Sequence, residues 1–135
     1  MDGRNMRCRG IRGATRVAAN TREEILASAR ELLGQMVAAN KLQSEDVACA
    51  IFTTTVDLNA EFPTVAAREL GWWDVALLCS HEMAVPDGMP RCLRILLLVN
   101  TDKTPQELAH VYLRGTEVLR SRGVSSPTAT GGDSA

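Results

Sequence analysis

The sequence predicts an α/β domain of the α+β kind: a single mixed five-stranded sheet packed with helices. Three observations carry that reading. Apolar runs rich in β-formers alternate with capped helical runs. The connections between them are uneven in length. The chain has 135 residues, 45% of them apolar, which suits one domain with its own core. Aromatic residues are only 4%, so that core must be mostly aliphatic.

Residues 6–17 read as the first strand. On a period of two, Cys8, Gly10, Arg12 and Ala14 share a face, and the small neighbours leave a hollow beside Arg12. Thr21-Arg22-Glu23-Glu24 is a capping box. Ile25, Leu26, Ala29, Leu32, Leu33, Met36 and Val37 then recur at helical spacing, so 21–40 is an amphipathic helix lying on the sheet. Ser44-Glu45-Asp46 makes a turn, and Val47 to Thr55 is a buried strand. Asp57 to Pro63 is a loop. Pro63 suits the first turn of a short helix and Gly71 its end. Asp74 to Cys79 reads as a strand, and Val85 to Pro90 as a turn-rich loop.

Cys92 to Thr101, C-L-R-I-L-L-L-V-N-T, is the most apolar segment. Thr104 to Glu107 is a second capping box with proline at its first helical position, opening a short helix that ends near His110. Val111 to Leu119 reads as the last strand. Residues 121–135 are rich in Ser, Thr and Gly and form a flexible tail behind a domain spanning 1–120.

Bulk properties exclude several classes. With 15 basic and 16 acidic residues the net charge is −1, which gives no reason to expect a nucleic acid or a membrane surface as partner. No apolar run is long enough to span a bilayer, and the polar N-terminus does not read as a secretory signal. A cytoplasmic location is expected. Cys8, Cys49, Cys79 and Cys92 show no C-x-x-C spacing and, with His81 and His110, no zinc pattern, so reduced thiols are expected and no metal. There is no G-x-S-x-G, no P-loop, and no G-x-G-x-x-G before a helix.

Two arginines stand out. Arg94 lies mid-strand, sharing one face with Cys92, Leu96 and Leu98, while Leu93, Ile95, Leu97 and Val99 share the other. Both faces are apolar, so both are expected to be covered. A buried guanidinium must meet an anion. That anion is either a carboxylate of the chain, Glu82 or Asp57, or one on a ligand. Arg12 is a second mid-strand arginine. Two guanidiniums aimed into one cavity, with one acidic partner, suit a small carboxylate or phosphate. Glu82 follows a short strand, where sheets often hold ligands, but also reads as a surface carboxylate. Tyr112, the single tyrosine, is a core residue or a ligand contact. Arg68 reads as a solvated charge, Cys79 as a small buried hydrophobe, and His81 beside Glu82 as a weak base or metal signal. At least one of Trp72 and Trp73 should be packed.

Five blocks in order resemble the monofunctional chorismate mutases of the Bacillus type: R-G-I-R-G-A-T, F-P-x-x-A-x-R-E-L-G-W, C-x-x-E-M, C-L-R-I-L-L-L-V-N-T, and H-V-Y-L with V-L-R after it. They cover about residues 7 to 120. The resemblance implies a homotrimer of pseudo α/β-barrel form with active sites between subunits. It implies the Claisen rearrangement of chorismate to prephenate, the committed step toward phenylalanine and tyrosine, with no cofactor or metal. Carried over by motif, Arg12 and Tyr112 hold the carboxylate of the enolpyruvyl side chain, and Arg94 sits at the breaking ether bond. Glu82 and Cys79 meet the ring hydroxyl, in a wall formed by Leu78, Cys79, Ser80, His81 and Glu82. Phe62 and Leu119 pack on the substrate, while Arg68 and Arg120 lie near the mouth. The chain departs from the family at Val65, where lysine is frequent, and at Leu78, where threonine is.

The physics suits that assignment. A unimolecular rearrangement of a dianion needs no nucleophile and no proton transfer, only a held conformer and opposed charges. Such terms must supply at least about 8 kcal/mol for an ordinary enzymatic acceleration. Two other readings stay open on the residues: an imine deaminase of a similarly shaped trimeric family, and a non-catalytic trimeric binding module.

Overall fold

The computed structural model describes residues 5–121. The segment 122–135, the greater part of the expected tail, lies outside the described residues.

Five strands form one sheet: β1 (Arg7–Arg16), β2 (Val47–Thr54), β3 (Ala76–His81), β4 (Cys92–Thr101) and β5 (Val111–Tyr112). Their order is β3-β2-β4-β1-β5. β4 runs antiparallel to β1 and β2, while β2–β3 and β1–β5 are parallel, so the sheet is mixed. Helix α1 (Arg22–Asn40) crosses one face. Its start is fixed by Thr21, whose Oγ1 accepts from Glu24 N–H at 3.1 Å. Its apolar stripe, Ile25, Leu26, Ala29, Leu32, Leu33 and Met36, is buried against Ile11, Phe52, Leu93, Ile95, Leu97 and Val99. Gly13 faces this helix, and a Cβ there would stand 2.4 Å from Met36 Sδ. The glycine is thus spent on close helix–sheet approach, on the opposite face from Arg12.

The short helix is α2 (Val65–Glu69), preceded by a turn at Pro63–Thr64 and ended by Gly71 at φ 93°. Trp72 is packed and Trp73 is exposed. The second capping box is present but closes a single 3₁₀ turn, Pro105–Glu107.

Three expectations are corrected. β3 sits two residues later than predicted, because its ladder with β2 runs from Cys49–Ala76 to Thr54–His81. The last strand is Val111–Tyr112, not Val111–Leu119. Arg114 and Gly115 take left-handed φ values of 52° and 79°, which turn the chain into the 3₁₀ segment Thr116–Ser121. Buried Thr116 pins that turn: its one hydroxyl proton is shared between Leu113 O at 2.8 Å and Ala14 O at 3.1 Å. Finally, β4 is covered on one face only. Leu93, Ile95 and Leu97 are fully buried, but the Arg94 side chain keeps 44% of its exposure. Its face is open in the single chain, and Leu78, on the same sheet face two strands away on β3, is 62% exposed.

Candidate active site

Sheet register brings the unusual residues together. Ala14 pairs with Arg94 on one side and Tyr112 on the other, and Thr53 pairs with Arg94 across β2. On the period of two, Arg12, Ala14, Arg94 and Thr53 share the open face. Small Ala14 keeps the centre of that face low. Past the end of β3, Glu82 N–H still donates to Thr54 O at 2.8 Å, which carries the ladder far enough to bring the carboxylate over Arg94.

The central contact is a two-pronged ion pair. Arg94 Nε donates to Glu82 Oε2 at 2.9 Å and Nη2 to Oε1 at 2.8 Å. Thr53 Oγ1 also donates to Oε2. Partial burial pushes the Glu82 pKa up, but the bonds from Arg94 and Thr53 and the Arg94 charge outweigh it. The carboxyl stays below its ordinary value. Glu82 is therefore an acceptor and not an acid. Of the two chain partners the sequence left open for Arg94, Glu82 is the one found. Asp57 instead accepts Arg91 N–H at 3.0 Å.

Arg12, Glu82, Arg94 and Tyr112 line a hollow of about 270 Å³, with Gly13, Ile51, Thr53, Ile95 and Leu96. Two guanidiniums face one carboxylate, so the hollow is positive. Among the described residues the Arg12 guanidinium, Arg94 Nη1 and the Tyr112 hydroxyl have no protein partner. These are donors left over for an anionic ligand.

A second hollow, of about 300 Å³, lies elsewhere on the chain. Phe62, Cys79, Ser80 and His81 line it, with Thr54, Pro63 and the 58–61 loop. Phe62 is 68% exposed there. Cys79 is half-buried on the core side, and burial pushes its thiol pKa up, so it is no thiolate nucleophile. His81 Nδ1 lies 3.3 Å from Thr54 O and 3.2 Å from its hydroxyl.

The remaining predicted residues join neither hollow within one chain. Leu78 lies on the open face. Arg68 bridges to the carbonyls of Trp72, Trp73 (3.0 Å) and Val75 (3.4 Å) and lies 5.8 Å from the centre of the Trp73 ring. Leu119 and Arg120 belong to the 3₁₀ segment after β5. So one chain gathers Arg12, Glu82, Arg94 and Tyr112 in one place and Phe62, Cys79, Ser80 and His81 in another. The sequence reasoning missed Thr53, which completes the Glu82 site. That it shares a face with Ile51 follows from the period of two, but its pairing with Arg94 needs the register.

The chain is similar to proteins of one family. The family described as "Chorismate mutase type I" matches residues 8–122. A curated chorismate mutase AroH from Bacillus subtilis (strain 168) is 43% identical over 116 residues, 85% of this chain and 91% of that protein. One from Thermus thermophilus is 48% identical over 113 residues, 83% of this chain and 93% of that protein. A solved chorismate mutase from Clostridium thermocellum superimposes with a TM-score of 0.79 at 45% identity, covering 82% of this chain and 98% of that one. On this match the chain belongs to the type I chorismate mutase family.

Proposed function

We propose that the protein catalyses the rearrangement of chorismate to prephenate, an isomerisation in aromatic amino acid biosynthesis, at sites completed between copies of a homotrimer. One observation carries the proposal: the positive hollow in which Arg12, Arg94 and Tyr112 surround an ionised Glu82 while retaining spare donors.

Each group has a role that the reaction needs. The substrate carries two carboxylates, so a positive hollow favours its capture. Arg12 and Tyr112 bind the side-chain carboxylate and fix the folded conformer in which the new bond can form. Breaking the C–O bond places negative charge on the ether oxygen and positive charge on the ring. Arg94, its guanidinium already oriented by Glu82, donates from Nη1 to that oxygen. Glu82, held ionised, accepts from the ring hydroxyl and opposes the ring's positive charge. These dipoles are in place before the reaction, which is where their catalytic value lies. No proton changes hands.

Phe62, Leu78, Cys79, Ser80 and His81 form the opposite wall when supplied by a neighbouring copy, with Arg68, Leu119 and Arg120 at the rim. Two features support this: the division of the site between two hollows, and the open sheet face bearing Leu78, Leu96 and Leu98. Four free thiols agree with a cytoplasmic enzyme.

The test is direct. Chorismate absorbance should fall in the presence of the protein, with prephenate as product, and 2-aminoacrylate should not be consumed faster than in buffer. Chorismate left intact by a well-folded trimer would favour the binding-module reading; turnover of 2-aminoacrylate would favour the imine deaminase.

A further inference from the structure

The strand that carries Tyr112 is two residues long, too short to hold itself in place by its own ladder. It pairs with β1 at Gly13–Val111 and Ala14–Tyr112, and Leu113 N–H donates to Ala14 O at 2.9 Å. One position back, the ladder is replaced by a side chain: Arg12 N–H donates to His110 Nδ1 at 3.0 Å. One residue further back, buried Asn40 does the same work from the end of α1. Its Oδ1 accepts Ala109 N–H at 2.8 Å, and its Nδ2 donates to Ala109 O at 2.9 Å and Met36 O at 3.0 Å. Two side chains thus stand in for the missing rungs, and one of them can titrate.

We propose that His110 is a positioning residue: its neutral imidazole holds the main chain of Arg12 beside Tyr112, and a proton on Nδ1 breaks that hold. The proposal rests on the reading that Arg12 and Tyr112 share one substrate carboxylate. An imidazolium has two donors and no acceptor, so it cannot take the Arg12 N–H. The charged groups acting on the half-buried ring are Arg12 from β1 and Arg120 from the closing 3₁₀ turn, both cationic. Burial first, then these two charges, lower the pKa of His110 below the ordinary 6.5. The ring is therefore neutral and accepting at neutral pH, and the contact is lost only as the medium becomes acidic. Glu82 remains ionised in that range because its own pKa is lowered, so it does not produce the same effect.

The experiment is steady-state kinetics on chorismate between about pH 5 and 8, with wild type, His110→Asn, His110→Phe and Arg12→Ala. Wild-type KM should rise about three- to tenfold on acidification, the range that one hydrogen bond is worth, with kcat moving less. His110→Phe keeps the ring shape without an acceptor; its KM should be raised at neutral pH and stay flat. Asparagine places an oxygen near the Nδ1 position and does not titrate. His110→Asn should recover a low KM and lose the acid rise. A His110→Asn enzyme with the wild-type acid rise would overturn the proposal, as would His110→Phe with wild-type KM. If the phenylalanine variant does not fold, the asparagine profile alone decides. Arg12→Ala separates the two ideas. Unchanged KM there would defeat the carboxylate reading, whereas a raised KM there beside indifferent His110 variants would defeat only the role of His110.

Discussion

At the residue scale the site turns on one carboxylate with three donors. Glu82 is held by Arg94 and Thr53, and these bonds keep its pKa below the ordinary value despite partial burial. A group whose folded pKa is depressed stabilises the fold above its unfolded pKa, near 4.5. That contribution fades as pH falls through the lowered value. Glu82→Gln should therefore flatten the acid end of the unfolding-stability profile. The same variant should lower kcat about ten- to hundredfold, the worth of a charge-assisted hydrogen bond. Thermal unfolding against pH and chorismate turnover read the two effects. Arg12 and Arg94 were legible as anomalies because a guanidinium in an apolar strand contradicts the pattern around it. Glu82 was one of two chain partners left open, beside a ligand anion, and only the ladder extending past His81 selects it.

At the element scale the pattern was readable where periodicity was long. The stripe of α1 and the alternation of β4 appear where they were expected. β5 was not readable in its length, because the apolar residues of 111–119 hide a reversal at Arg114–Gly115 that only the φ angles reveal. Nor does periodicity say which glycine serves which face. Gly10 lies under Leu96 and Leu98 at 3.5 Å and 3.8 Å from an added Cβ, an ordinary distance, while Gly13 is pressed by Met36 and Leu32. Gly13→Ala should cost about 1–3 kcal/mol as an overpacked core. Trimming Met36 to Ala in the same chain should make the two losses less than additive. Urea unfolding of both single variants and the double variant measures this; strictly additive losses would show that the helix does not approach β1 so closely.

At the scale of the whole molecule, the chain leaves one face of its sheet uncovered. The expectation that both faces of β4 are covered fails for the single chain and is met only if copies cover one another. Leu98 is half-buried on that face, near the middle of β4 and away from the ion pair. If the proposed trimer forms through this face, Leu98→Glu should leave the circular dichroism of the fold intact, yield a monomer in sedimentation, and abolish turnover with it. A monomeric wild type with full activity would contradict this arrangement. Periodicity assigns residues to faces but not faces to partners.

The most direct measurement of the account is chorismate turnover by Arg94→Lys. Lysine keeps the charge but loses the fork that grips Glu82 and that, in the proposed mechanism, presents a fixed donor to the ether oxygen. The account predicts a trimer of wild-type stability whose kcat falls at least about a hundredfold, as for loss of one preorganised donor. A variant that turns over chorismate at close to the wild-type rate would contradict it.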